Sequence, residues 1–309
     1  LGLALFALGG VIAALAESMS WLIAGRALQG CGAIAGVAMA LAADVSRPER
    51  RPIVMAIIGI GIGGAFLLSM MLSVPLSTLL GLAGLFWLTA ALALVGIVLV
   101  LTVPAVPRPA ESSSDGEPAS MRPIWLLAFS VFLLHAAMTL LFVCFPPMLV
   151  ETFGLGLPQH WKLYVPAMLL SALIMFPILR KAGSSFSEQR LMPGAFAALG
   201  LSMGLLPFGF GYLALGVLLT VYFLGFSLLE SAMPALLARL SGSRGRGRRM
   251  GVYSTFQFLG AFCGAVIGGS LLARYGSGAA LLFAGVVCLL WGGLVAGVSK
   301  RFFPTGEGA

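Results

Sequence analysis

Charged residues are scarce in this chain. Only 9% of its 309 residues are Asp, Glu, Lys or Arg, whereas about 25% is usual in a soluble domain. Hydrophobic residues make up 60% of the sequence and the mean hydropathy is +1.07. A water-soluble core has no use for so much apolar sequence, so an ordinary soluble domain is excluded.

Cysteine and histidine are also rare, with four and two copies. Cys31, Cys144, Cys263 and Cys288 all lie in apolar runs without paired spacing, so neither a disulfide framework nor a zinc site is indicated. We expect no metal and no cofactor. The sequence contains no HExxH, and neither histidine is paired with a plausible nucleophile or metal set, so an intramembrane enzyme is only a remote alternative.

The apolar residues form runs of about 20, and a helix of about 20 residues matches a hydrocarbon layer of about 30 Å. Alternating strand patterns are missing, which argues against a membrane barrel. We predict an all-α polytopic membrane protein with ten helices. They lie near Leu1–Ala16, Trp21–Ala43, Ile53–Leu80, Leu82–Val103, Trp125–Val150, Trp161–Leu179, Leu191–Phe210, Tyr212–Ala238, Met250–Leu272 and Ala279–Val298.

The placement of the 18 Lys and Arg residues explains the net charge of +8. If the loops alternate sides, fifteen of these residues lie on one side, Lys162 and Arg274 lie on the other, and Arg26 lies inside a helix. The richer side is predicted to be cytoplasmic. The charge therefore reflects topology, and no nucleic-acid partner is expected.

One long hydrophilic stretch, residues 105–123, is rich in Pro, Ser and acidic residues and is predicted to be a cytoplasmic linker. It would separate an N-terminal bundle, residues 1–104, from a C-terminal bundle, residues 124–309. Since the chain opens on Leu1 without a flanking basic residue, we expect two further helices upstream. The complete arrangement would then be six helices, the linker and six more helices. A ten-helix protein of five plus five would have its divider after the fifth helix, whereas here the linker follows the fourth.

Arg26 is the first of two deep charges. It lies roughly 8 Å from the outer end of its helix and shares a face with Gln29 and Gly30. An arginine keeps its proton, so it must face a cavity, water, an acid or backbone carbonyls. We interpret it as part of the proton or substrate path, with a structural polar clamp as the alternative.

Glu230 is the second deep charge, roughly 12 Å from the inner end of its helix. Because a carboxyl can be neutralised by protonation, Glu230 is a candidate for proton loading and release. The alternative is a permanently hydrogen-bonded acid near Tyr253 and Gln257, which lie at similar depth on the next helix. His135, near mid-membrane, suits a proton relay or a structural hydrogen bond.

Small residues recur at a spacing of four in several helices, for example at Gly32 and Gly36 and at Gly260, Gly264 and Gly268. This spacing lets helix backbones approach closely. Static helix packing explains most of these sites. The same spacing would also let two helix bundles slide or tilt against each other in a transporter, so the pattern does not separate the two interpretations. Prolines within or near helix ends, which include Pro75, can kink helices.

Residues 25–46, GRALQGCGAIAGVAMALAADVS, resemble the fourth-helix motif of the drug:proton antiporter branch of the major facilitator superfamily. HWKLYVPAML and MGVYSTFQFLGAFCGAVIGGSL further resemble the eighth and eleventh helices of YajR-type exporters in that branch. The likeness spans nearly the whole chain and implies a twelve-helix fold of which helices three to twelve are present.

The resemblance implies roles for particular residues. Arg26 matches an arginine of proton coupling. Asp44 matches an acid that pairs with the signature loop between helices two and three and acts in the conformational switch. Pro75 matches the fifth-helix antiporter motif, but Val74 stands where that motif has Gly. The loop repeat expected between helices eight and nine is reduced to RKAGSSFSEQR.

We therefore predict a secondary transporter of the bacterial inner membrane that exports small molecules by alternating access, driven by protons, and acts as a monomer. Its partners would be a small-molecule substrate, protons and the lipid bilayer. A facilitator or importer without proton coupling is the alternative. We assign proton coupling to Arg26, Gln29, His135 and Glu230. Gly30, Gly32, Pro75, Tyr253 and Gln257 are assigned to the cavity and to helix packing.

Overall fold

The fold is taken from a computed structural model that describes residues 1–32, 38, 41–42, 46, 51–103, 121–182, 188–240 and 246–302. These residues form α-helices and two short 3-10 helices, Leu157–Gln159 and Leu206–Phe208, and no strand. The prediction of an all-α class is confirmed. The α-helices are α1 Gly2–Ala14, α2 Met19–Cys31, α3 Arg51–Leu101, α4 Met121–Phe153, α5 Trp161–Ala182, α6 Glu188–Leu205, α7 Tyr212–Leu240 and α8 Arg246–Phe302.

Helices α3 and α8 are each divided by one glycine. Gly81 has φ 65° and ψ −179°, and Gly276 has φ 81° and ψ 170°. This region of backbone space is essentially open to glycine alone. The two breaks fall between the third and fourth and between the ninth and tenth predicted helices. Within the described residues, eight helices therefore give ten helical segments.

In the described part of the chain, six helices are long and apolar enough to cross a bilayer. Two of these stretches, Gly61–Leu101 with 41 residues and Arg248–Val298 with 51, contain the glycine breaks. Each is too long for one crossing at 1.5 Å per residue, so each accommodates two. Gly2–Ala14 is a shorter apolar helix.

Large apolar side chains are exposed on the outside of the helices. Leu213 is 82% exposed, Leu290 70% and Phe176 66%. Many exposed apolar side chains of this kind are typical of helices that face lipid, because soluble proteins rarely expose large apolar patches.

The chain divides into two compact units, Leu1–Ser113 and Ser114–Ala309. In the first unit, α1 packs against both α2 and α3. In the second, α4 and α6 pack against α8, while α7 packs against α5 and α6. Helix α4 begins at Met121, inside the last three residues of the predicted linker, and its Leu127, Leu134 and Leu141 are fully buried.

Three glycines fix the contact between α4 and the first segment of α8. A Cβ at Gly260 would overlap the Phe132 carbonyl, and one at Gly264 would overlap the Ala136 carbonyl. A Cβ at Gly268 would lie 3.2 Å from Leu140. All three glycines face a helix of their own unit, so they act in close static packing.

Candidate functional site

In the N-terminal unit, Arg26 is held by a neutral amide. Its Nη1 donates to Gln29 Oε1 at 2.7 Å, and Gln29 Nε2 donates to Thr89 Oγ1 of α3 at 3.4 Å. The guanidinium carbon lies 5.9 Å from the centroid of the Phe86 ring, a cation–π distance. Among the described residues, no carboxylate lies within ion-pair distance of Arg26. Within the described residues, the positive charge of Arg26 is therefore stabilised by the Gln29 side-chain carbonyl and the Phe86 ring, and not by a carboxylate.

Glycines position this group. A Cβ at Gly9 of α1 would lie 2.5 Å from the backbone nitrogen of Gln29, and a Cβ at Gly10 would lie 3.0 Å from the side-chain nitrogen, Nε2, of the same residue. Because α1 has no side chain at Gly9 and Gly10, the side chain of Gln29 can extend from α2 to Thr89 of α3. Gln29 is only 2% exposed. Sequence reasoning missed Thr89 and Phe86, although Thr89 is the one hydroxyl in the run LFWLTAALALV.

The other predicted residues of this unit have different surroundings. Gly32 packs on α1, since a Cβ there would lie 2.5 Å from the Gly2 carbonyl, whereas Gly30 has no atom within 4 Å of such a position. Pro75 is exposed within α3, whose helical dihedrals break at Gly81 instead. Asp44 lies outside the described residues.

In the C-terminal unit, three polar side chains from three helices meet. Gln257 Nε2 of α8 lies 2.9 Å from His135 Nε2 of α4 and donates to Glu230 Oε1 of α7 at 3.3 Å. His135 Nε2 and Glu230 Oε2 are 3.7 Å apart. We call these three residues the polar cluster. The sequence predicted all three as candidates, and the structure shows that they are in contact.

The contacts define the hydrogen positions. His135 Nδ1 lies 3.1 Å from the Val131 carbonyl, which can only accept, so Nδ1 carries the hydrogen. In the neutral ring, Nε2 is then an acceptor and takes one hydrogen of the Gln257 amide. The second hydrogen of that amide goes to Glu230. One amide nitrogen therefore serves both titratable groups.

The glycine contacts of α8 set this register. Gln257 lies three residues before Gly260, and His135 lies next to Ala136, which faces Gly264. Thr139 Oγ1 lies 2.9 Å from the Ala261 carbonyl of α8 and 2.9 Å from the His135 carbonyl of its own helix, so its hydroxyl hydrogen is shared between the two helices. The close crossing of α4 and α8 thus brings Gln257 to His135.

The surroundings of the cluster are mostly apolar. The Phe226 ring lies edge-on to His135, with centroids 5.8 Å apart. Glu230 Oε2 is buried and has no hydrogen-bond partner among the described side chains and backbone, although 38% of the side-chain surface is accessible. The Tyr253 hydroxyl, also buried, has no such partner either. The arrangement has room for one more hydrogen bond at Glu230 and one at Tyr253.

The comparisons with known proteins agree with this fold. The profile of the Major Facilitator Superfamily matches residues 1–231. The inner membrane transport protein YajR of Escherichia coli is 33% identical over 94% of this chain and 66% of its own length. An uncharacterized transporter of Buchnera aphidicola from Baizongia pistaciae is 30% identical over 94% of this chain and 77% of its own. The multidrug resistance protein MdtH of Proteus mirabilis matches 40% of this chain at 34% identity and 30% of its own length.

Among solved structures, the human organic anion transporter MFSD10 is similar in fold, with a TM-score of 0.68 and 22% identity. The match covers 95% of this chain and 75% of that one.

These findings define a polytopic helical membrane transporter, and the chain belongs to the Major Facilitator Superfamily. The predicted family is therefore confirmed. So is the prediction that the protein is not an enzyme, because members of this superfamily move solutes and do not transform them.

Proposed function

We propose that this chain is part of a proton-coupled exporter of small molecules in the bacterial inner membrane, working by alternating access. The observation that carries the proposal is the contact of His135, Gln257 and Glu230 inside membrane-spanning helices. Buried ionisable groups in a bilayer cost several kcal/mol and are functional candidates by default. The similarity to the inner membrane transport protein YajR supports the location in the inner membrane, and the partial similarity to the multidrug resistance protein MdtH supports export.

Glu230 is the group that takes up the proton in this proposal. A proton on Glu230 Oε2 leaves every existing hydrogen bond in place, because Gln257 donates to the other oxygen, Oε1. A proton on His135 Nε2 would face the amide hydrogen of Gln257 at 2.9 Å and force that amide to turn. Protonation at Glu230 therefore requires less rearrangement and removes a charge from the hydrocarbon.

Arg26 has a different task. It cannot release its proton, so it acts as a fixed cation, and Gln29 and Phe86 orient it. In this proposal it keeps a positive potential on the transport path of the N-terminal unit. Substitution of Arg26 by Ala would remove coupled transport and leave the protein folded, because Gln29 loses one hydrogen bond but keeps its contact with Thr89.

The experiment uses the complete protein that carries this chain, reconstituted in liposomes, with ethidium as the transported probe. Imposing a proton gradient should drive ethidium movement in the wild type and in Ser231→Ala, a neighbour whose hydroxyl donates only within α7 and, at 4.0 Å, toward Met175. Glu230→Gln, which keeps size and polarity but cannot titrate, should abolish the gradient-driven part. Infrared difference spectra during a pH jump should show a carboxyl band that Glu230→Gln lacks.

Two results would count against the proposal. If the infrared band is unchanged in Glu230→Gln, Glu230 is not the proton site. If ethidium counterflow proceeds equally without a gradient and no pH change accompanies it, the protein is an uncoupled facilitator or importer, the alternative that Val74 in the antiporter motif favours.

A further inference from the structure

Buried hydroxyl groups without a protein partner are concentrated in the C-terminal unit. The hydroxyls of Tyr164, Tyr222 and Tyr253 are buried and have no hydrogen-bond partner among the described residues, and neither has Glu230 Oε2. The three tyrosines are only 2%, 0% and 5% exposed. Buried polar groups are almost always hydrogen-bonded, and where protein does not supply the partner, internal water does.

These groups lie at successive depths. Tyr164 is three residues from the Trp161 end of α5, roughly 5 Å by helix rise, and Tyr222 is ten residues from the Tyr212 end of α7, roughly 15 Å. Glu230 is 18 residues from the same end of α7 and His135 is 18 residues from the Phe153 end of α4, roughly 27 Å in each case. The topology prediction assigns all these helix ends to the outer side.

Ring contacts connect the outer tyrosines to the cluster. The Phe223 ring lies 6.5 Å from Tyr164 and 5.4 Å from Tyr222, centroid to centroid. Tyr222 stacks on Phe226 at 6.5 Å, and Phe226 contacts His135. Because they are spaced by four, Tyr222, Phe226 and Glu230 share one face of α7.

Tyr253 continues this series of buried hydroxyls toward the predicted cytoplasmic side of the membrane. It lies one helical turn before Gln257 on α8, so the two side chains share a face. Gln257 in turn donates to Glu230 Oε1 at 3.3 Å, so Tyr253 lies one helical turn from the residue that contacts Glu230.

We propose that the hydroxyls of Tyr164, Tyr222 and Tyr253 bind internal water, and that this water forms a hydration path through the C-terminal unit past Glu230. Its use for protons rests on the proposed function. A proton enters at the Tyr164 end, each water accepts one proton and passes on another, and Glu230 Oε2 takes up the last to become a neutral carboxyl. When Glu230 releases its proton to the water near Tyr253, its side chain becomes a carboxylate again. The water and the side chains of the path are then back in their starting state.

Radiolytic hydroxyl labelling of the complete protein in detergent tests the water directly, because buried side chains are oxidised only where water lies beside them. After normalisation to free amino acids, Tyr164, Tyr222 and Tyr253 should each be labelled several-fold faster than Phe196. The Phe196 ring is 0% exposed and serves as the dry control. Tyr212 and Tyr275, 50% and 67% exposed, are the wet controls. If any of the three buried tyrosines is labelled as slowly as Phe196, the path is interrupted and the proposal is wrong.

Tyr222→Phe provides the matched variant, because it keeps the stack on Phe226 and removes only the hydroxyl. Labelling at Tyr164 should fall several-fold in this variant, and gradient-driven ethidium transport should slow, while the melting temperature stays close to that of the wild type. Unchanged labelling at Tyr164 would contradict a shared path. If the three tyrosines are labelled but transport does not depend on the proton gradient, the hydration path is supported and the proposed function is wrong. If transport is coupled to protons but the tyrosines are not labelled, the proposed function is supported and the hydration path is wrong.

Discussion

At the scale of residues, one amide controls two titratable groups. Gln257 Nε2 has two hydrogens and gives one to His135 and one to Glu230. The amide thereby stabilises a neutral histidine and a carboxylate at once. If His135 became doubly protonated, the amide would have to present its oxygen instead, so its orientation depends on where the proton lies.

Gln257→Met removes both donors and keeps a similar length. The Glu230 carboxylate then loses a hydrogen bond, and each buried group left without its donor costs about 1–3 kcal/mol. We expect the protonated carboxyl band to persist to higher pH than in the wild type, with coupled transport reduced. Infrared pH titration of the complete protein measures this.

Thr255→Val is the control for that titration, because the Thr255 hydroxyl bonds only the Gly251 carbonyl of its own helix. The positioning role of Gln257 would be refuted if both variants lowered the melting temperature equally and left the titration unchanged.

At the scale of elements, the close crossing of α4 and α8 determines whether the cluster forms. The crossing depends on bare backbone at Gly260 and Gly264, each facing a carbonyl of α4. Dispersion between backbones and the hydrogen bond from Thr139 hold the pair in one register. Sequence spacing predicted close packing here, but not which helix would be the partner.

Gly264→Ala should destabilise the protein by about 1–3 kcal/mol, because the added methyl overlaps the Ala136 carbonyl and the Thr139 hydroxyl. Gly269→Ala on the same helix has nothing within 4 Å of the new methyl and should be neutral or mildly stabilising. Thermal unfolding in detergent compares the two. Equal melting temperatures would mean that the crossing tolerates a wider separation.

At the scale of the whole molecule, the basic residues predict the orientation in the membrane. Lys162 and Arg248 are both exposed, and the loop alternation assigns them to the outer and cytoplasmic sides respectively. In a variant whose four native cysteines are replaced by Ala, Lys162→Cys should react with an impermeant maleimide in intact cells, and Arg248→Cys should react only after permeabilisation. The reverse pattern would invert the predicted topology.

Much of the fold could be predicted from the sequence because it depends on local properties. A run of about 20 apolar residues forms a span wherever it occurs, and the ends of most helices fell within a few residues of the prediction. The breaks at Gly81 and Gly276 fall where the sequence separates the predicted helices, but the non-helical dihedral angles that make each break needed the structure. For Arg26, the sequence identified Gln29 as its neighbour on the same face, but the contacts with Thr89 and Phe86 needed the structure.

The sequence by itself determined the family, the membrane class and the candidate residues of the polar cluster, because apolar length, charge placement and motif letters are properties of single segments. Only the tertiary structure decided which of those residues meet. His135 and Gln257 are 122 positions apart, and their contact follows from the crossing of two helices at glycines. That the hydroxyls of Tyr164 and Tyr222 have no hydrogen-bond partner among the described residues likewise followed only from the packing, because hydrogen-bond satisfaction is a property of neighbours in space.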